Sequence, residues 1–145
     1  MDYLESAKKS LFRWEALQEY RVDDEDDMDD WWAFLQKKSA SGVVLQRVRM
    51  IRFPLNDYTK KELQVHAMSN MHGDDIRVIE DLEVRDCLQD FWLVDDAVVI
   101  SMKYGNGGEY LGFEVSTVDI DTYRSFRDAV WTASGPLSEL EENMQ

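Results

Sequence analysis

Leu4, Ala7, Leu11, Trp14 and Leu17 recur every three or four residues, and this spacing predicts an amphipathic helix from Leu4 to Tyr20. Met28, Trp31, Trp32 and Leu35 repeat at the same period and predict a second helix. Asp23, Asp24, Glu25, Asp26, Asp27, Asp29 and Asp30 crowd its start, where carboxylates complement the positive end of the helix dipole. Residues 1–40 thus read as an acidic helical front end.

After the break at Ser39 to Gly42, the pattern changes to strand. Val43 to Phe53 places Val48 and Met50 on one face and Arg47 and Arg49 on the other, and Pro54 ends it because proline has no N–H for the ladder. Asn56 or Asp57 can cap a helix from Tyr58 to Met68, closed by Gly73, and Ile76 to Ile79 form a short strand carrying Arg77. Strand, helix and strand in this order predict a parallel βαβ unit. Phe91 to Tyr104 and Glu109 to Ser116 form a hairpin around Gly105, Asn106, Gly107 and Gly108, with Asp95, Asp96 and Ala97 splitting the first strand at a turn. Ile120, Tyr123, Phe126, Val130 and Trp131 mark a last helix, with Asp119 at its start and Gly135-Pro136 at its end.

The order predicts an α/β or α+β fold, with a mixed sheet of about four to five strands, a C-terminal hairpin and flanking helices. At 145 residues the chain reads as one domain over 1–136, with the helical front end over 1–40, sheet and helices over 43–134, and a short acidic tail over 137–145.

Charge narrows the partners. Thirty acidic against sixteen basic residues give a net charge of −14, which repels phosphate backbones and anionic membranes. The reading is therefore no direct nucleic-acid or membrane binding, with three explanations of the acidity: solubility, docking of a basic partner, or imitation of nucleic-acid phosphates. The single Cys87 excludes an intramolecular disulfide, and the start of the chain lacks a secretory apolar run, which together point to the cytoplasm.

Several chemistries fall away. The Gly105–Gly108 turn has neither the spacing nor the following Lys-Ser of a phosphate loop, and the aspartate run lacks the glycine and closing glutamate of a calcium loop. His66 and His72 fit no metal-ligand spacing and read as exposed or capping residues, while Cys87 reads as small and partly buried. Asp95 and Asp96 resemble an acid pair, but neighbours on a strand point to opposite faces, so a turn is the simpler account. No cofactor is implied. Arginine forks on a sheet suit carboxylates and phosphates, so Arg47, Arg49, Asp57, Tyr58, Arg77 and Trp92 are candidates for a small-anion site, unless the arginines simply pair with the chain's own acids. The stripe with Trp31 and Trp32 suits core packing; as an outward face it would join Asp27 in binding a partner.

The succession of strand, helix, strand and Asp-bearing hairpin resembles half of a phospholipase D-type phosphodiesterase domain. That family carries His, Lys two residues later and Asp five beyond the lysine. With Asp95 as the aspartate, the histidine and lysine positions are Leu88 and Asp90; with Asp96 they are Gln89 and Phe91. Neither register supplies a nucleophile or a phosphate-binding cation, so the resemblance implies the fold in degenerate form, without the catalysis. The segments FRWEALQEY, GVVLQRVRMI, PLNDYTKKEL, GDDIRVI, FWLVDDAVVISMKY and YRSFRDAVW also resemble, over roughly Leu11 to Ala133, small actinobacterial proteins grouped as a domain of unknown function. Members of that group are often encoded beside helix-turn-helix regulators of the XRE type. The resemblance implies a non-catalytic regulatory protein that binds a basic partner such as such a regulator. The alternatives are an anion- or nucleotide-sensing domain with a pocket on the sheet, and a nucleic-acid mimic.

Overall fold

The structure is a computed structural model that describes residues 2–17 and 28–137. Along the chain run α1 (Asp2–Glu5), β1 (Ser10–Glu15), α2 (Asp29–Ala40), β2 (Val44–Ile51), α3 (Asp57–Met71), β3 (Asp75–Glu80), a 3-10 turn (Asp81–Glu83), β4 (Phe91–Val94), β5 (Val98–Tyr104), β6 (Tyr110–Ser116), α4 (Ile120–Ala133) and β7 (Gly135–Pro136). The strands form one mixed sheet in the order β6-β5-β4-β1-β2-β3-β7. β1, β2 and β3 are parallel, each joined to the next through a helix, and the other pairings are antiparallel. The class is as expected, with seven strands rather than about four to five.

The largest departure is at the front end. In place of a helix from Leu4 to Tyr20 the chain makes one short helical turn and then β1, a central strand. The helical spacing of Leu11 and Trp14 is incidental: Leu11 packs with Leu4, Leu35, Leu45 and Ile100, whereas Phe12 and Trp14 face the opposite layer. Phe12, Arg13, Trp14 and Glu15 do alternate apolar and charged as a strand does, but all four are buried, the charged pair on the face beneath α2 and α3. The second front-end helix is α2, with Asp29 and Asp30 in its first turn and Lys37 and Lys38 in its last, both favourable to the dipole.

On one side of the sheet α4 lays Phe126 and Val130 over Phe12, Trp14, Val48, Met50, Phe91 and Leu93. On the other, α2 places Leu35 against Leu11, Leu45 and Val94, and α3 places Leu63 against Ile51 and Val78. Asn56 starts α3 by accepting a hydrogen bond from the Thr59 N–H at 2.7 Å. Asp119 stands at the start of α4 with φ of 60°, but its side chain makes no capping bond.

Asp95 and Asp96 both have positive φ, 53° and 61°, and the Ala97 N–H donates to the Val94 carbonyl at 3.0 Å, so they form the two central residues of a tight hairpin turn. Their side chains part company there. Asp95 accepts from the backbone N–H groups of Lys8, Lys9 and Ser10 at 3.0, 2.7 and 3.1 Å, which ties the entry to β1 onto the hairpin. Asp96 receives Arg127 from α4 through its carboxylate and Arg124 through its carbonyl at 2.8 Å. Among the described residues no helix is long and apolar enough to cross a membrane.

Candidate functional site

β1 and β2 align their charged residues on the face covered by α2 and α3, and Asp74, just before β3, joins them. The register sets Arg13 beside Arg47 and Glu15 beside Arg49, with Trp92 of β4 on the far side of Arg13. Like charges side by side in a core demand counter-ions, and each guanidinium has one. Arg47 bridges Glu15 at 2.9 Å and Asp74 at 3.1 Å; Arg49 meets Glu62 of α3 at 2.6 Å; Arg13 meets Asp90 at 3.2 Å. His66 Nε2 lies 3.2 Å from Glu15 Oε1 and 3.6 Å from Glu62 Oε1. Tyr58 donates to the other oxygen of Glu62 at 2.8 Å, and the Tyr104 hydroxyl accepts from Arg13 at 3.2 Å. The Trp92 ring takes Arg13 and Arg47 at 5.5 and 5.3 Å from its centroid, a cation–π contact that accommodates the two neighbouring cations.

Arg49 is 0% exposed and Asp74 and Asp90 are each 3% exposed, so this is a buried layer, not a surface patch. Burial pushes the Glu15 carboxyl upward, but Arg47, His66 and Arg13 together outweigh it and hold it well below the usual carboxylate range. Asp74 goes the other way: burial raises it, and Arg47 offsets only part of that rise. Arg47 is held more firmly protonated, because Glu15 and Asp74 together exceed its own desolvation. Burial, then the neighbouring Glu62 carboxylate, pushes the Tyr58 phenol up. Asp95 is drawn down, since hydrogen bonds from Lys9, Ser10 and Lys8 outweigh its slight burial.

Glu15, Glu62 and His66 bring three potential metal-ligand atoms within 4.8 Å of one another. The set is chemically suited to a divalent ion. The carboxylate oxygens that would bind it, however, are those already held by Arg47 and Arg49. A divalent charge there would face two guanidiniums at contact distance, so the trio reads as an imidazole lodged between two guanidinium-held carboxylates and not as a metal centre.

Beside this layer, where the C-terminal end of β1 meets β4 and β5, a cleft of about 450 Å³ opens between Ala16, Leu17, Leu88, Asp90, Met102 and Tyr104. Asp90 forms its inner wall and is fully engaged there: one oxygen holds Arg13 and the other accepts from the Ala16 N–H at 2.9 Å. A second, aromatic pocket of about 300 Å³ lies between Tyr3, Trp31, Trp92, Ile100, Met102 and Phe113.

Of the candidate anion-binding residues, Arg47, Arg49 and Trp92 do come together, with Tyr58 reaching the same layer through Glu62. They are turned inward and paired with the chain's own acids. Arg77 is on the opposite face, its guanidinium 4.0 Å from the centre of Trp131, and Asp57 is exposed in the first turn of α3. The six do not form one pocket. Trp31 stacks on Phe34 and meets Trp92 edge-on, while Trp32 donates to Ser69 at 3.0 Å and stacks on His72, so the stripe on α2 packs within the chain. Asp27 lies outside the described residues.

His66 departs from expectation: α3 turns it into the layer, where it is 7% exposed. His72, at the end of α3, holds the Met68 carbonyl at 2.7 Å as a capping residue would. Cys87, expected to be partly buried, is exposed. Sequence reasoning also missed Arg13, Glu15, Glu62, Asp74 and Asp90. One signal was present: Glu62 and His66 are four residues apart, on one face of a helix.

The profile of a family described as a domain of unknown function, DUF6879, matches residues 1–141. Among curated proteins none matches the chain. Among solved structures the chain is similar to Nuc, a phospholipase D family member from Salmonella typhimurium, at 14% sequence identity and a TM-score of 0.57, over 93% of this chain and 86% of that one. At that identity the likeness concerns the fold alone.

Proposed function

Starting from the premise that the chain belongs to the DUF6879 family, we propose that it is a cytoplasmic, non-catalytic regulatory protein that binds a basic partner, of the kind exemplified by an XRE-type helix-turn-helix regulator encoded beside actinobacterial relatives. One observation carries this reading. In the register that sets Asp95 at the aspartate of the phospholipase D motif, Leu88 and Asp90 fall where that chemistry needs its histidine and lysine, and both line the cleft. Leucine offers no nucleophile. Asp90 is neither a cation nor at liberty to act as a base, because Arg13 and the Ala16 N–H occupy both of its oxygens.

Binding has support from charge. A net charge of −14 steers a cationic partner toward the surface and accelerates encounter. On α2 the half-exposed rims of Trp31 and Trp32 stand next to Asp29 and Asp30, so a partner would meet aromatic and acidic groups on one helix. The inward-facing arginines give no comparable support to an anion sensor.

The test is affinity capture from the native host with mass spectrometry, followed by titration of the purified regulator at two salt concentrations. Binding that weakens as salt rises supports the reading; no association at micromolar concentrations sinks it. Hydrolysis of bis(p-nitrophenyl) phosphate by the purified protein, abolished by a cleft substitution such as Asp90→Asn, would overturn the non-catalytic part.

A further inference from the structure

The aromatic pocket of about 300 Å³ draws its rings from four elements: Tyr3 of α1, Trp31 of α2, Trp92 of β4, and Tyr110 and Phe113 of β6. The register explains how β6 supplies two of them. Met102 pairs with Phe113 and Ile100 with Val115, which sets Phe113 on the α2 side of the sheet together with Ile100 and Met102. In a regular strand Tyr110, three residues from Phe113, would point to the opposite face. The strand is bulged instead: Lys103 pairs with Gly112 and Tyr104 with Tyr110, passing over Leu111. Gly112 takes a φ of 130° there, a conformation that favours glycine, and the extra residue returns Tyr110 to the side of Phe113, where both line the pocket. Bulges that re-aim a side chain in this way concentrate beside functional sites.

The rings meet at steep angles. Trp31 and Trp92 cross at 66° with centroids 6.0 Å apart, and Tyr3 and Phe113 at 76° and 6.2 Å, so the wall offers both ring faces and ring edges to a flat guest. Charge narrows what that guest can be. Among the described residues that line the pocket there is no Lys, Arg, Asp or Glu. Arg13 and Arg47 lie against Trp92, 5.5 and 5.3 Å from its ring centre, without reaching the lining, and the acids near them, Asp90, Glu15 and Asp74, are engaged in pairing with them. A cation in the pocket would have two guanidiniums behind Trp92 and no carboxylate in the wall; an anion would have no cation in the wall. Burying an unpaired charge is costly, so both are disfavoured. The polar capacity is neutral. The N–H groups of Trp14 and Trp32 donate to Leu88 and Ser69, whereas the N–H groups of Trp31 and Trp92 have no acceptor among the described residues.

We propose that this pocket is a binding site for a small, uncharged aromatic molecule of one or two rings, held among Trp31, Trp92 and Phe113. Its volume lies at the lower end of the range for ligand sites, ~300–1,000 Å³. The inference is independent of the regulator reading, and salt separates the two: docking of a basic partner weakens as salt rises, whereas binding of an uncharged guest does not.

The test is calorimetric titration of the full chain with 2-naphthol, against cyclohexanol, phenyltrimethylammonium and benzoate as aliphatic, cationic and anionic counterparts, in salt high enough to screen the net charge of −14. 2-Naphthol should bind with a Kd below ~1 mM and raise the melting temperature, and the other three should bind about tenfold more weakly or not at all. Phe113→Ala and Tyr110→Ala, at positions 49 and 51% exposed, should each weaken 2-naphthol about fivefold without unfolding the chain. Leu82→Ala, exposed and outside the pocket, should leave the affinity unchanged. No binding of 2-naphthol up to its solubility limit overturns the proposal. So does binding of cyclohexanol or phenyltrimethylammonium as tight as that of 2-naphthol, or an affinity for 2-naphthol that neither substitution in β6 moves.

Discussion

Replacing Arg47 by methionine tests whether the charged layer is part of the core. The substitution keeps much of the side chain's bulk but leaves Glu15 and Asp74, now 2.9 and 3.1 Å from a guanidinium, without their common cation. Glu15 would keep His66 and the more remote charge of Arg13, and Asp74 would lose its one ion-pair partner among the described residues. Removing one member of a buried pair typically costs about 3–5 kcal/mol, because the charge left behind stays desolvated. In a chain of this size a loss of ~1 kcal/mol lowers the melting temperature by about 2–4 °C, so Arg47→Met should lower it by roughly 6–20 °C. Urea unfolding followed by tryptophan fluorescence reads the free energy directly, since Trp14, Trp31 and Trp92 all sit in or beside the sheet. The triple change Arg47→Met, Glu15→Gln and Asp74→Leu should recover part of the loss by removing the stranded charges together. A cost below about 1 kcal/mol for Arg47→Met would refute the argument, since that is the behaviour of a solvated surface pair.

The two carboxylates on Arg47 should respond to pH with opposite signs. Glu15 titrates below its unfolded value, so its contribution is present above about pH 4.3 and vanishes as pH falls through the folded value; the advantage of wild type over Glu15→Gln should shrink on acidification. Asp74 titrates above its unfolded value, so its contribution is greatest in acid and is lost as pH rises; Asp74→Asn should gain on wild type as pH rises above about 4 in the same urea assay. Asp95→Asn tolerates the positive φ but removes the charge that three N–H groups share, and should cost about 1–3 kcal/mol, a difference that disappears at acid pH because Asp95 is drawn down in the fold. Gly73→Ala should cost about 1–3 kcal/mol by calorimetry, because its φ is 109° and a Cβ would stand 2.9 Å from that of Ser39.

Where a turn or stop signal bounds an element, the sequence pattern and the structure agree. The α4 stripe, the β2-α3-β3 unit, the turn at Asp95 and Asp96 and the hairpin at Gly105 to Gly108 all follow from periodicity or turn chemistry. β1 fails for the opposite reason. Leu11 to Glu15 are all buried and Phe12, Arg13, Trp14 and Glu15 alternate as a strand does, but Leu4, Ala7, Leu11, Trp14 and Leu17 also keep helical spacing, and with no glycine or proline to bound the segment the helical period hid the strand. The same cause hid the layer. Arg13 and Glu15 fall within that helical reading, while Arg47 and Arg49 read as an anion site or as partners of the chain's own acids; that the pairs are buried follows only from β1 lying beside β2 with α3 covering them. Glu62 and His66 were legible as neighbours on α3, but nothing along the chain says that α3 turns that face inward.

The arrangement also determines what a lysine in the cleft would do to the sheet. Introducing a lysine at Asp90 would not simply supply the missing cation. It would remove the counter-ion of Arg13, a residue only 5% exposed, and set a second positive charge near it, with Arg47 already across the Trp92 ring. It would also release the Ala16 N–H, which fixes the exit of β1. Asp90 is therefore bound into the packing of β1 against β4 as much as it is part of a cleft wall. The cleft is thus framed by side chains that also hold the sheet together through acid–guanidinium pairs.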